Sequence, residues 1–189
     1  MGRAKPKQTY YTYEAYLDLE QEEGLRYEYH NGEVFAMAGG TQAHNRICQN
    51  FILQLSQSLA HHCETFFSDI KVEIQSKYHY LYPDVVVTCD PDDIAQQKTS
   101  VNAPTLVIEV LSKSTQQVDK DAQKQAYMRL PALEYYMLVA QDKTRVELYS
   151  RHLDFWTYKT YEAPDQVIEL PKLNLRLKVA DIYQRIHFD

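Results

Sequence analysis

Hydrophobic and polar positions divide the chain into a series of short elements. Tyr13 to Glu23 predicts a short helix, with Thr12 placed to cap its first turn. Tyr27-Glu28-Tyr29-His30 and Glu33-Val34-Phe35-Ala36-Met37 alternate on either side of Asn31-Gly32. Asn-Gly between alternating segments is the strongest short hairpin signal. Gly39-Gly40 then interrupts the chain. From Thr41 to His62, Ile47, Phe51, Leu55 and Leu59 recur every fourth position with Ile52 beside them, which predicts a long amphipathic helix. Phe66 to Ile74 predicts a strand, and Tyr78 to Tyr82 a turn or strand extension.

Two continuous apolar runs follow, Asp84-Val85-Val86-Val87-Thr88 after Pro83 and Leu106-Val107-Ile108-Glu109-Val110-Leu111. Unbroken β-branched runs predict strands covered on both faces. A polar loop from Pro91 to Pro104 separates them. Gln116 to Arg129 predicts a helix that stops before Pro131, and Tyr135 to Ala140 another strand. Val146 to Tyr149, Phe155 to Tyr161 and Val167 to Leu170 suggest an antiparallel extension. Leu175-Arg176-Leu177 then precedes a final helix from about Val179 to Ile186. Between residues 41 and 140 the order is helix, strand, strand, strand, helix, strand. That αβββαβ order implies an α/β (α+β) core with a mixed sheet. With no internal repeat and no linker, one domain is expected over residues 10–189, behind a polar, basic arm of residues 1–9.

A carboxylate inside a buried strand is costly unless it is hydrogen-bonded, paired or metal-bound. Asp84 and Glu109 stand out on that ground. They lie 109 − 84 = 25 residues apart, enough for one strand to return antiparallel beside the other. Asp84 would start one strand and Glu109 would stand near the end of the next, at one end of the sheet. Two acids so placed, with Lys120 and Lys124 on the following helix, could hold a divalent cation against a phosphodiester. Glu28, before Asn31-Gly32, reads either as a cross-strand charge or as an auxiliary partner of metal or lysine. His44, in the first turn of the long helix, suits a phosphate contact, water positioning or a buried capping role. Thr41 could cap that helix, whose free N–H groups suit an anion. Gly39-Gly40 lacks the Gly-Lys-Ser/Thr of a phosphate-binding Walker loop, and no Gly-x-Ser-x-Gly elbow occurs.

The 189 residues carry a net charge of 20 − 26 = −6, which argues against a surface built for indiscriminate DNA binding but leaves room for a local groove. Cys48, Cys63 and Cys89 form no C-x-x-C pair, so reduced thiols in a cytoplasmic protein are expected. His61-His62-Cys63 lacks a second ligand cluster for tetrahedral zinc. No apolar run approaches the roughly 20 residues that span a bilayer.

Several motifs in order carry a resemblance. They are Tyr27-Glu28-Tyr29-His30-Asn31-Gly32-Glu33-Val34, Met37-Ala38-Gly39-Gly40-Thr41, His44-Asn45 and Ser68-Asp69-Ile70-Lys71-Val72. Tyr82-Pro83-Asp84-Val85-Val86-Val87 follows, then Glu109-Val110-Leu111-Ser112-Lys113-Ser114-Thr115, Asp119 through Lys124 to Tyr127, and Glu134-Tyr135-Tyr136. From about Tyr10 to Ile186 the chain resembles the Uma-two family of restriction-endonuclease-like bacterial proteins, within the PD-(D/E)XK nuclease superfamily. The resemblance implies a restriction-endonuclease-like fold and a metal-dependent endonuclease acting on DNA. Asp84 and Glu109 would hold Mg²⁺ (or Mn²⁺), Lys124 would stabilise transition-state charge, and Glu28 and His44 would contribute second. Cutting two strands implies a homodimer. The superfamily places a lysine two residues after the glutamate, where this chain has Leu111. The resemblance moves the amine to Lys124, with Lys113 as a second candidate. Two alternatives remain: an inactive module of this fold that binds DNA or protein, and a hydrolase of a small phosphorylated ligand. Net acidity favours both over indiscriminate DNA cleavage, and Leu111 favours the first.

Overall fold

A computed structural model of the chain describes residues 10–37, 39–95, 98–111 and 117–188, with backbone alone at 23 and 117–120. The predicted arm of residues 1–9 lies outside the described residues.

The first helix, α1 (Tyr13–Glu23), begins where Thr12 accepts a hydrogen bond from the Ala15 N–H and ends at Gly24, whose φ of 62° is left-handed. A hairpin of β1 (Tyr27–His30) and β2 (Glu33–Ala36) follows. Its Asn31-Gly32 turn has positive φ at both residues, 49° and 87°, as a tight hairpin of matching twist requires. Helix α2 (Gln42–Ser58) is capped by Thr41, whose hydroxyl accepts from the His44 N–H. It stops four residues short of the predicted end, because Leu59 turns to an extended conformation.

The segment expected as one strand from Phe66 to Ile74 is two: β3 (Glu64–Phe67) and β4 (Lys71–Gln75). Ser68 stands between them with a left-handed φ of 55°. The return arm breaks at the same level, into β5 (His79–Leu81) and β6 (Val85–Thr88), around Tyr82-Pro83-Asp84. Residues 64–88 therefore form one antiparallel hairpin split in the middle of both arms. Its outer half, β4 and β5, joins a five-stranded sheet; its inner half, β3 and β6, joins a six-stranded sheet. The loop from Pro91 to Pro104 contains a short helix, α3 (Pro91–Ile94), and β7 (Ser100–Val101), which pairs parallel with β4.

The remaining elements are β8 (Pro104–Leu111), α4 (Gln117–Met128), β9 (Tyr135–Ala140), β10 (Val146–His152), β11 (Phe155–Tyr161), β12 (Val167–Leu170), β13 (Leu175–Lys178) and α5 (Val179–Ile182). The five-stranded sheet runs β2-β1-β5-β4-β7 and the six-stranded sheet β11-β10-β9-β8-β6-β3, with β12 and β13 as a separate pair. Both larger sheets are mixed, since β4–β7 and β8–β9 are parallel and the other pairs antiparallel. The fold is α+β with few helices. Among the described residues no helix is long and apolar enough to cross a membrane.

Both faces of the six-stranded sheet are covered, which explains its unbroken apolar strands. Val85, Val87, Leu106, Ile108 and Val110 pack with Ile47, Phe51 and Leu55 of α2. Val86, Val107 and Tyr136 pack on the opposite face with Ala126 and Tyr127 of α4 and with Leu130 just after it. Tyrosines 16, 27, 29 and 80 form a smaller core beneath α1. They fill space there, with Tyr11 and Tyr13 partly buried against them.

The expectation of three reduced cysteines is not met. Cys63 and Cys89 flank the paired residues Glu64 and Thr88 and form a disulfide across β3 and β6. The free thiol is Cys48.

Helix α1 is fastened to the sheet by a buried charge pair. Lys71 Nζ donates to Glu20 Oε2 at 2.7 Å and to the Tyr16 hydroxyl at 3.0 Å. Glu20 Oε1 accepts from Tyr82 at 2.7 Å and from the Tyr27 N–H at 3.3 Å. Removing one partner of such a pair strands the other charge in a dry setting. The Lys71→Met variant is therefore expected to lose about 3–5 kcal/mol in urea unfolding. A loss under 1 kcal/mol would show that the pair is wetter than this geometry implies.

Candidate functional site

The site grows from the break in the long hairpin. In β6 and β8, Val85 lies opposite Ile108 and Val86 opposite Val107. Continuing that antiparallel register by one residue brings Asp84 abreast of Glu109, on the face that α4 covers. Because β6 has not yet begun at Asp84, the Val110 N–H bonds the Asp84 side chain instead of a strand carbonyl. Asp84 Oδ2 accepts it at 2.7 Å, and Asp84 is buried. A hydrogen bond to an ionised acceptor contributes about 1.5–3 kcal/mol and fixes the carboxylate's direction.

Three further elements converge on this point. Glu28 comes from β1 in the other sheet, and both its oxygens accept from Gln123 Nε2 of α4, at 2.9 and 3.1 Å. Tyr127, one turn after Gln123, is buried with its hydroxyl turned toward Glu109, and burial, then Glu109 and Glu28, push its pKa up. His44, from the first turn of α2, places Nε2 3.1 Å from Asp84 Oδ2. That approach lies outside the alignment a hydrogen bond needs, because Nε2 has no hydrogen-bond partner. The ring is held close to the backbone: a Cβ on Gly40 would stand 2.9 Å from His44 Nδ1, so the second glycine of Gly39-Gly40 makes room for the imidazole.

Glu109 bears the electrostatic cost. Burial pushes its carboxyl well above the ordinary range, and the charges of Asp84 and Glu28 push it further. Among the described residues no lysine or arginine is ion-paired with Asp84 or Glu109. Glu28 of β1, Glu109 of β8 and Asp84, just before β6, thus act on one another in one region.

The structure brings together Asp84, Glu109, Glu28 and His44. It does not bring Lys124 to them. The Lys124 ammonium sits 3.1 Å from Asp121 Oδ1 and 5.1 Å from the centre of the Tyr149 ring. Burial acts to lower its pKa, but Asp121 and Tyr149 outweigh it and hold the amine above its usual value. The reason is helical phase: Gln123 and Tyr127 turn toward the acids, and Lys124 turns toward Asp121 and β10. Lys113 lies outside the described residues, and Lys120 is described by its backbone alone. Leu111, at the superfamily's lysine position, packs against the apolar layer beneath α4.

Sequence reasoning missed Gln123, Tyr127 and Cys48. The i, i+4 spacing of Gln123 and Tyr127, and of His44 and Cys48, was the available signal. Cys48 Sγ lies 3.8 Å from His44 Nδ1, so Cys48, His44 and Asp84 stand in the order of a thiol–imidazole–carboxylate relay. The thiol is not activated, however. Burial, then Asp84 and Glu109, push it up, opposite to the depression a thiolate nucleophile needs. A cavity of about 640 Å³ opens beside these groups, lined by His44, Cys48, Arg26, Ile52, Leu53 and Phe67 among others.

Comparison with known proteins shows the family and the fold. The family model Uma2, described as "Putative restriction endonuclease", matches residues 13–180. The chain is 34% identical over 181 residues to the uncharacterized protein slr1290 of Synechocystis sp. (strain ATCC 27184 / PCC 6803 / Kazusa), covering 93% of this chain and 92% of that one. It is 33% identical over 138 residues to sll1609 of the same strain, also uncharacterized, covering 72% of this chain and 78% of that one. Its fold is similar to the crystal structure of a "putative nuclease belonging to DUF820" from Anabaena variabilis ATCC 29413. That match has a TM-score of 0.75 at 16% identity and covers 94% of this chain and 99% of that one.

The raised Glu109 carboxyl makes stability depend on pH. The folded chain binds this proton more tightly than the unfolded chain, so stability falls as pH rises from the usual 4.5 toward the raised value. In metal-free buffer, Glu109→Gln should remove that slope and raise the melting temperature at pH 7 by several degrees. A parallel pair of stability–pH curves for the two proteins would contradict this.

Proposed function

Since the chain belongs to the Uma2 family, we propose that it is a metal-dependent endonuclease hydrolysing DNA phosphodiester bonds, with Asp84 and Glu109 holding magnesium or manganese. One observation carries this reading: the carboxylate of Asp84, just before β6, is fixed by the Val110 N–H and acts on the buried Glu109 of β8, with no described lysine or arginine paired to either. The donor set fits a hard divalent cation, which takes carboxylate oxygens. Repulsion between two carboxylates about 4 Å apart is roughly 4 kcal/mol at an effective dielectric near 20. A divalent charge offsets more of it than a single ammonium would. When bound, such a cation would supply an acidified water and draw charge from the scissile phosphate.

The chain's own residues prepare that chemistry. The Val110 N–H directs Asp84, and Gln123 holds both Glu28 oxygens on the α4 side of the site. His44 presents Nε2 beside Asp84, where it can orient a water or contact a phosphate oxygen. Lys124 would act at most indirectly, through α4. Cutting two strands calls for two such sites, so the working form would be a homodimer. A second reading, hydrolysis of a small phosphorylated ligand, draws on the net charge of −6 and the enclosed space beside His44.

Supercoiled plasmid should be nicked with Mg²⁺ or Mn²⁺ present and left intact with chelator. Asp84→Ala and Glu109→Ala should each lower the rate about 100-fold or more, on the scale of losing one transition-state stabilising group. Lys124→Ala should lower it less than tenfold. Nicking that survives Asp84→Ala would refute the proposal. Metal-dependent turnover of nucleotides without nicking would move the substrate to the second reading.

A further inference from the structure

We propose that His44 Nε2, Cys48 Sγ and Asp84 Oδ2 form a second metal site, for a thiophilic transition-metal ion of the zinc or cobalt class. It shares Asp84 with the Asp84–Glu109 pair but not its donor chemistry. One ligand atom from each of His44, Cys48 and Asp84 lies within 4.8 Å of the other two. His44 and Cys48 are four residues apart on α2, which puts both on one helix face, as in helical metal motifs with ligands at i and i+4. Asp84 reaches them from the break in the hairpin.

The His44–Asp84 contact separates this site from a simple ion pair. The two side chains are 7% and 4% exposed, and Nε2 stands 3.1 Å from Oδ2 without hydrogen-bonding to it. A buried imidazole normally spends both ring nitrogens on partners. Two donors each about 2.1 Å from one tetrahedral ion stand roughly 3.4 Å apart, with lone pairs aimed between them rather than at each other. The observed separation and misalignment fit that case. Cys48 Sγ is 3.8 Å from the other ring nitrogen, so its side chain must turn toward Asp84 for sulfur and Nε2 to share one ion.

A nitrogen, a thiol sulfur and one carboxylate oxygen form a poor set for magnesium. They suit zinc or cobalt, because thiolate selects borderline and soft ions. Three protein donors also leave a tetrahedral ion one open position. His44 and Cys48 line the cavity of about 640 Å³, so that position would face space into which water or a ligand can enter.

Cobalt titration of the full chain tests this, under anaerobic, non-reducing conditions that keep Cys63–Cys89 closed. One equivalent of Co²⁺ should produce a near-ultraviolet thiolate-to-cobalt charge-transfer band together with visible absorption of a low-coordinate ion. Zinc should abolish the band by displacement, and a large excess of magnesium should not. Cys48→Ser should lose the charge-transfer band. His44→Ala should weaken Co²⁺ binding beyond the roughly 10–100-fold that loss of even an outer partner costs. Glu109→Gln should keep the band while losing nicking, so failure of the nuclease reading and failure of this site remain distinguishable. Absence of the band in the unmodified chain overturns the proposal whether or not the variants fold, as does a band that persists in Cys48→Ser.

Discussion

The bond from the Val110 N–H to Asp84 Oδ2 is the constraint on which the site rests. A strand N–H normally finds a strand carbonyl. Here the neighbouring strand has ended, so the ladder is completed by a side chain. The fold thereby converts a defect in strand pairing into a fixed carboxylate. Were β6 one residue longer at its start, the backbone would supply that acceptor and Asp84 would lose its anchor. Pro83 is compatible with this break because it carries no N–H to leave unsatisfied.

The same break decides what gathers around Asp84. Splitting both arms of one hairpin lets the chain pass from the five-stranded sheet to the six-stranded sheet, so residues of both meet there. Glu28 belongs to the first sheet and Glu109 to the second, and Gln123 of α4 reaches across to Glu28. α2 brings His44 and Cys48 from the opposite direction. Burial, and after it the charges of Asp84 and Glu28, keep Glu109 protonated more readily than an isolated carboxyl. Among the described residues no lysine or arginine is ion-paired with Asp84 or Glu109, and Lys124 pairs with Asp121.

What could be read from the amino acids followed from how local each signal is. Thr12, Thr41 and Asn31-Gly32 act within a few residues, and each sits in the cap or turn predicted for it. The unbroken runs of β6 and β8 announced strands buried on both faces, and the separation between them left room for the antiparallel return they make. Errors arose where the outcome depended on distant parts. Phe66 to Ile74 alternates well enough for one strand, and only the requirement to serve two sheets breaks it at Ser68. Cys63 and Cys89 look unrelated until the register of β3 and β6 sets them side by side. Lys124 was chosen by resemblance, but helical phase gives the inward positions to Gln123 and Tyr127. Roles for these residues depend on chemistry that composition alone does not encode.

The Cys63–Cys89 link also has a topological meaning. It closes a covalent loop across a sequence separation of 26, and Asp84 lies inside that loop. A protease that severed the exposed tip near Lys77 would open the peptide chain without parting the two arms. The fragments would stay joined as one molecule in oxidising buffer, and the acid at the heart of the site would stay beside its strand partners. In reducing buffer the same scission would yield two separate polypeptides, held together only by packing.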